Sequence, residues 1–125
     1  MKMPVTILIV DDEEIVRKVI RVALKTVDVV FLEAKGTTEA LKIAREHTGP
    51  IHLLVSDVMM LGRICGIEMA AQLSHARPEM KVLLMSGYVP EALTTEPSWH
   101  FIQKPFAVPE IRERIRSVLT ESLAA

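Results

Sequence analysis

The sequence predicts an α/β fold, a doubly wound five-stranded parallel sheet with helices on both faces. Short β-branched runs alternate with helical patterns along the 125 residues, as in successive βαβ units. The runs lack in-and-out alternation, as expected of strands covered on both faces. Credible breaks between elements fall at Gly49-Pro50, Arg77-Pro78 and Lys104-Pro105.

In chain order, Val5–Val10 is an unbroken apolar and β-branched strand that stops at the four carboxylates Asp11, Asp12, Glu13 and Glu14. A helix is expected over Glu14–Thr26, where acidic residues suit the positive end of the helix dipole. Val29–Glu33 is the second strand, and a helix over Thr38–His47 runs to the Gly49-Pro50 break. Leu53–Ser56 is the third strand, followed by a helix over Ile67–His75 that ends before Arg77-Pro78. Val82–Met85 is the fourth. A short helix is expected near Pro90–Thr94, then a weaker strand pattern over His100–Ile102 and a last helix over Val108–Ser122. Right-handed crossovers then fix much of the topology.

The length suits a single domain, residues 1–125 with a core from about residue 4 to about residue 122. Half of the residues are hydrophobic and a quarter charged, the balance of a soluble globular chain. A net charge of −1 gives no nucleic-acid-binding surface, and no apolar run reaches the roughly 20 residues of a membrane span. The N-terminus lacks a signal peptide's cleavage region and turns acidic at once. The single Cys65 forms no internal disulfide, which fits a reducing compartment. The expected location is the cytoplasm.

In an open α/β sheet, ligands bind beyond the carboxyl ends of the strands. The residues there are Asp11 and Asp12 after the first strand, Asp57 after the third, Ser86 after the fourth and Lys104 after the fifth. The second strand offers no comparable group. A nucleotide-binding fold would place a glycine-rich loop after its first strand, whereas Asp-Asp-Glu-Glu repels phosphate. The same carboxylates suit a hard divalent cation, since Mg²⁺ takes one or two carboxylates and keeps several waters. Such a cation offsets their mutual repulsion, about 4 kcal/mol for a pair about 4 Å apart at an effective dielectric near 20. It also lets an anionic phosphoryl group approach a carboxylate. Singly, each residue has an ordinary alternative: helix capping for the acidic pair, a strand end for Asp57, a turn for Ser86-Gly87. Cys65 reads as a small buried apolar residue, and the four histidines show no metal-ligand spacing.

Together, the segments ILIVDDE, LLVSDVMM, LLMSG and QKPF resemble, in order and spacing, the response-regulator receiver domains of two-component phosphorelay signalling. The resemblance covers essentially the whole chain and implies a flavodoxin-like receiver fold. It implies Asp57 as phosphoacceptor, with Asp11, Asp12, Asp57 and the backbone carbonyl of Met59 holding Mg²⁺ or Mn²⁺. Ser86 would bond a phosphoryl oxygen and Lys104 would pair with the phosphoryl group. Phe101 matches the aromatic switch position, and a cis bond before Pro105 would aim the lysine. The implied partner is a histidine kinase or a histidine phosphotransfer protein.

Two departures stand out. Leu61 occupies a position where the family commonly has proline, and the loop from Leu61 to Gly66 is one residue longer than the commonest pattern. That loop, with SGY and FIQKPF, looks like receivers attached to hybrid histidine kinases. The segment from Ser86 to Lys104 is short, so the family's fourth helix is expected to be curtailed. Nothing in the chain encodes an output, so a stand-alone regulator and a receiver from a larger kinase are both compatible with it.

On the first helix the apolar residues Ile15, Val16, Val19, Ile20, Val22, Ala23, Leu24 and Val27 span about 200° of the circumference, more than a core stripe often needs. By resemblance, its exposed edge of Ile15, Val19 and Val22 meets a phosphohistidine helix. Also by resemblance, Met59 and Tyr88 flank the approach of a hydrolytic water. Both side chains are bulky and Met59 is a poor water-orienting group, so a long-lived aspartyl-phosphate is expected. Two rival readings are weaker. A Mg²⁺-dependent aspartyl-phosphate phosphatase of the haloacid-dehalogenase type would need an acid where Met59 stands and a cap this chain has no length for. A pseudo-receiver that only binds would not need Asp12, Asp57, Ser86 and Lys104 together.

Overall fold

The five apolar runs form β1 (Val5–Val10), β2 (Val29–Ala34), β3 (Leu53–Asp57), β4 (Lys81–Ser86) and β5 (His100–Gln103). All neighbouring strands pair in parallel, in the order β2-β1-β3-β4-β5. The structure is a computed structural model and describes residues 4–25, 28–63, 65–87 and 97–124, the side chains of 121–124 excepted. Its helices are α1 (Glu14–Ala23), α2 (Thr37–Glu46), α3 (Gly66–Ala76) and α4 (Val108–Ala124). The short helix expected near Pro90–Thr94 and the side chain of Tyr88 lie outside the described residues.

β1 side chains alternate between two cores because successive strand residues face opposite sides. On one face Leu8, Val10, Leu54 and Leu84 pack beneath Ala40 and Ala44 of α2 and Met69, Ala70 and Leu73 of α3. On the other, Ile7, Ile9, Val55, Leu83 and Met85 pack beneath Ile20 and Ala23 of α1 and Ile111, Ile115 and Val118 of α4. Ile7, Leu8, Ile9, Leu53, Leu54, Leu83 and Leu84 are fully buried, and each such side chain contributes roughly 1.5–3 kcal/mol. This double coverage is why the strands read as continuous apolar runs.

α1 corrects one expectation, ending at Ala23 rather than reaching Thr26. Its last turn tightens, with the Leu24 N–H bonding the Arg21 carbonyl at 3.3 Å and the Lys25 N–H bonding the Val22 carbonyl at 3.4 Å. Leu24 is thereby drawn into the core. Arg112 of α4 donates through Nε to the Ala23 carbonyl at 2.8 Å, satisfying a helix-end acceptor.

The register brings the strand ends level. Val10 lies opposite Ser56, Asp57 opposite Met85, and Ser86 opposite Gln103. Asp11, Asp57, Ser86 and Lys104 therefore emerge along one edge.

Candidate functional site

The turn after β1 is closed by Asp11, whose Oδ1 accepts from the Glu13 N–H at 2.8 Å, a bond to the amide two residues ahead that aspartate favours at turns. The Asp11 turn leads into α1, whose N-cap is Glu13 with no side-chain capping bond, so helix capping does not account for the acidic pair. The β3–β4 ladder continues past Asp57, with the Val58 N–H on the Met85 carbonyl at 2.9 Å. The Lys104 N–H bonds the Ser86 carbonyl at 2.8 Å, setting the lysine beside the end of β4.

The ammonium of Lys104 bridges the two buried acids, 2.9 Å from Asp11 Oδ2 and 3.3 Å from Asp57 Oδ2. Burial pushes the Asp57 carboxyl above its ordinary 3.8, with Lys104 opposing and the charge on Asp11 reinforcing the rise. Burial acts to lower Lys104, yet its bonds to Asp11 and Asp57 outweigh it and hold the amine above its ordinary 10.5. Asp11 is 0% exposed, whereas Asp12, Glu13 and Glu14 turn to solvent. The like charges of the opening acidic block are thus separated by fanning out, and the one turned inward is paired.

Oxygens of Asp11, Asp12 and Asp57 all lie within 4.8 Å of one another. Three carboxylates face one ammonium, so the site keeps a negative surplus. A set made of hard oxygens, with Asp12 open to water, fits Mg²⁺ in its usual partly hydrated form.

The remaining predicted residues are placed as follows. Ser86 is buried at the end of β4. Phe101 is half-buried and packs with Trp99 against the core beneath α2 and α3. The Lys104–Pro105 peptide bond is cis, as the resemblance implied. Met59 is half-buried beside Asp57 in the chain. On α1, Ile15 is 62% exposed, Val22 is exposed and Val19 is half-buried. Ile15, Val16 and Val19 line a groove of about 220 Å³ with Glu13, Lys104, Pro105 and Phe106, so apolar surface adjoins the charged site.

Some contributors left little trace in the sequence. Arg17 is buried, and its Nη1 donates to the Asp11 carbonyl at 2.6 Å. Its Nε bonds Glu33 of β2 at 3.1 Å, and its other nitrogen pairs with Glu14. The second strand, which offers no comparable group of its own, therefore reaches the site indirectly. Gly66 is the second contributor. Its N–H bonds the Val58 carbonyl at 2.9 Å, and a Cβ there would lie 2.1 Å from the Asp57 carbonyl oxygen. Only glycine lets α3 start so close to the site.

The longer loop resolves into a two-residue hairpin. Met60 and Arg63 exchange backbone bonds of 2.9 and 3.0 Å around Leu61 and Gly62, whose φ angles are 52° and 75°. Positive φ at both central positions is the type I′ pattern, costing roughly 1–2 kcal/mol at a residue other than glycine. The Leu61 N–H points back to Asp12 Oδ2 at 3.2 Å.

Among known proteins, the family described as response regulator receiver domain matches residues 7–116. The sensor kinase CckA of Brucella abortus is 30% identical over 118 residues, 91% of this chain but 12% of that protein. The probable transcriptional regulatory protein TcrX of Mycobacterium tuberculosis is 28% identical over 120 residues, 93% of this chain and 50% of that protein. The chain thus spans half or less of these relatives. Among solved structures, the receiver domain of the hybrid histidine kinase CckA has 34% identity and a TM-score of 0.76, covering 91% of this chain and 98% of that one. A two-component transcriptional regulator from Clostridium phytofermentans has 27% identity and a TM-score of 0.81, covering 96% and 95%. Among the described residues, no helix is long and apolar enough to cross a membrane.

Proposed function

Because the chain belongs to the response regulator receiver domain family of two-component signalling, we propose that Asp57 accepts a phosphoryl group from a phosphohistidine. The carrying observation is the placement of Asp57 at the end of β3, paired with Lys104 and within 4.8 Å of two further carboxylates. An Asp57 oxygen attacks phosphorus, a P–O bond forms as the P–N bond breaks, and the departing imidazole takes a proton from solvent. Asp11, Asp12, Asp57 and the Met59 carbonyl would hold Mg²⁺, which when bound would neutralise charge on the transferring group. Lys104 supplies the second positive charge by turning from its carboxylates toward the phosphoryl oxygens. Ser86 donates to one of those oxygens, and Phe101 follows Ser86 inward as the switch.

The donor is a histidine kinase or phosphotransfer protein, met through the edge of Ile15, Val19 and Val22 and the groove beside it. Cytoplasmic placement follows from that partner. The likeness to the CckA receiver favours a hybrid-kinase phosphorelay, and catalysis is confined to the chain's own phosphorylation and dephosphorylation. Intact mass spectrometry with acetyl phosphate tests the reading. The expected result is one phosphoryl group on the wild type in Mg²⁺, and none in EDTA or on Asp57→Asn. Equal uptake by Asp57→Asn would remove Asp57 from its role, and no uptake by either would favour a binding-only module.

A further inference from the structure

We infer that the backbone N–H of Leu61 is a positioning group for the divalent cation, holding Asp12 so that the acidic site takes Mg²⁺ more tightly. The inference rests on the phosphoacceptor reading above, which is what puts a cation there. The three carboxylates are not held alike. Asp11 is fixed by the Glu13 N–H at 2.8 Å and by Lys104 at 2.9 Å. Asp57 is held by Lys104 at 3.3 Å. Asp12 is exposed, and among the described residues its one hydrogen bond comes from the Leu61 N–H, at 3.2 Å to Oδ2. Among the described residues, no other hydrogen-bond donor fixes the Asp12 carboxylate.

The donor exists because of two departures from the family's commonest loop. A proline at 61 would have no N–H and a φ near −65°, whereas Leu61 has an N–H and a φ of 52°. The extra residue lets Leu61 and Gly62 close the hairpin between Met60 and Arg63, which turns that N–H toward Asp12. The Leu61 side chain is 83% exposed, so its link to the site is the main chain. A carboxylate accepts through both oxygens, so Oδ2 is held while Oδ1 stays open to a metal. Groups that orient a metal ligand typically change affinity by tenfold or more, and exposure places this one at the lower end.

Calorimetric titration of the metal-free, folded protein with MgCl2 tests it. Replacing Leu61 by its α-hydroxy acid exchanges the amide for an ester, which removes the N–H and weakens the Met60 carbonyl as acceptor of the Arg63 N–H. The expected Kd for Mg²⁺ is about tenfold weaker, while Leu61→Gly, which keeps the N–H and tolerates the same φ, stays within about twofold. A shortened loop, Leu61→Pro with Gly62 deleted, also lacks the donor and should weaken binding similarly; it decides the matter if the ester protein does not fold. Unchanged affinity in the variants lacking the N–H overturns the inference, as does an equal loss in Leu61→Gly. If the wild type takes up no Mg²⁺, the cation reading fails and this inference falls with it.

Discussion

The two ends of the sheet handle polar groups in opposite ways. At the amino end, main-chain donors and Arg77 meet carbonyl oxygens and a ring nitrogen. The Thr6 N–H bonds His52 Nδ1 at 2.9 Å, the His52 N–H returns to the Thr6 carbonyl at 2.9 Å, and the Lys81 N–H bonds the His52 carbonyl at 3.0 Å. Beside them, Arg77 donates to the carbonyls of Ala44, His47 and Gly49 at 2.8–2.9 Å, closing the end of α2. At the carboxyl end Asp11, Asp12 and Asp57 crowd within 4.8 Å, and burial drives the Asp57 carboxyl toward its protonated form. One end is arranged for cohesion. The other keeps unneutralised charge, a local conflict of the kind that functional sites tolerate.

The contrast breaks most readily at Arg77. Arg77→Met leaves three carbonyls without their donor, and should cost about 2–4 kcal/mol in urea unfolding. Phosphoryl uptake per folded molecule should stay as in the wild type. A matching loss of uptake would mean that the two ends are energetically joined.

The middle-sized effect belongs to α1. Ile15→Glu alters an exposed residue, so its melting temperature should match the wild type. Phosphoryl transfer from a phosphohistidine donor should slow about tenfold, as when an interface anchor is lost, with uptake from acetyl phosphate unchanged. Equal rates from the protein donor would place docking elsewhere.

The smallest effect sharpens the electrostatics. With its carboxyl raised above 3.8 in the folded state, Asp57 binds its proton more tightly folded than unfolded. Its contribution to stability is therefore best below 3.8 and declines as pH rises through the folded value. In EDTA, the stability of the wild type should fall relative to Asp57→Asn across that window and then level off. A gap that stays constant from about pH 3 to about pH 7 would show that folding does not raise the Asp57 carboxyl.

The strands were legible because burial on both faces leaves an uninterrupted apolar run; β1 is found as expected, and β2 to β5 differ by single residues at their ends. The convergence of Asp11, Asp57, Ser86 and Lys104 was legible because parallel topology alone brings strand ends together. Arg17 was not, since an arginine on an amphipathic helix reads as solvent-facing, and its burial depends on Glu33 from a different strand. The approach of Gly66 to Asp57 was equally hidden, because a glycine after a loop has many explanations until the backbone it touches is known. The Leu61 N–H left no trace, since main-chain donors are common to almost all sequences. The missing proline and the extra residue were visible, but not the hairpin they allow.

The contact at Gly66 also sets the mechanics of the molecule. With a methyl excluded at 2.1 Å and the Gly66 N–H bonded to Val58 at 2.9 Å, the first turn of α3 and the backbone of Asp57 move as one part, without slack. α1 reaches the site at Asp11 instead, through the turn whose Glu13 N–H bonds Asp11 Oδ1 at 2.8 Å and through Arg17 on the Asp11 carbonyl. A shift of α3 is therefore felt first at the Asp57 backbone, and a shift of α1 first at Asp11. A contact made on α1 therefore leaves the Asp57 backbone least disturbed, and the element pressed against it lies on the opposite face.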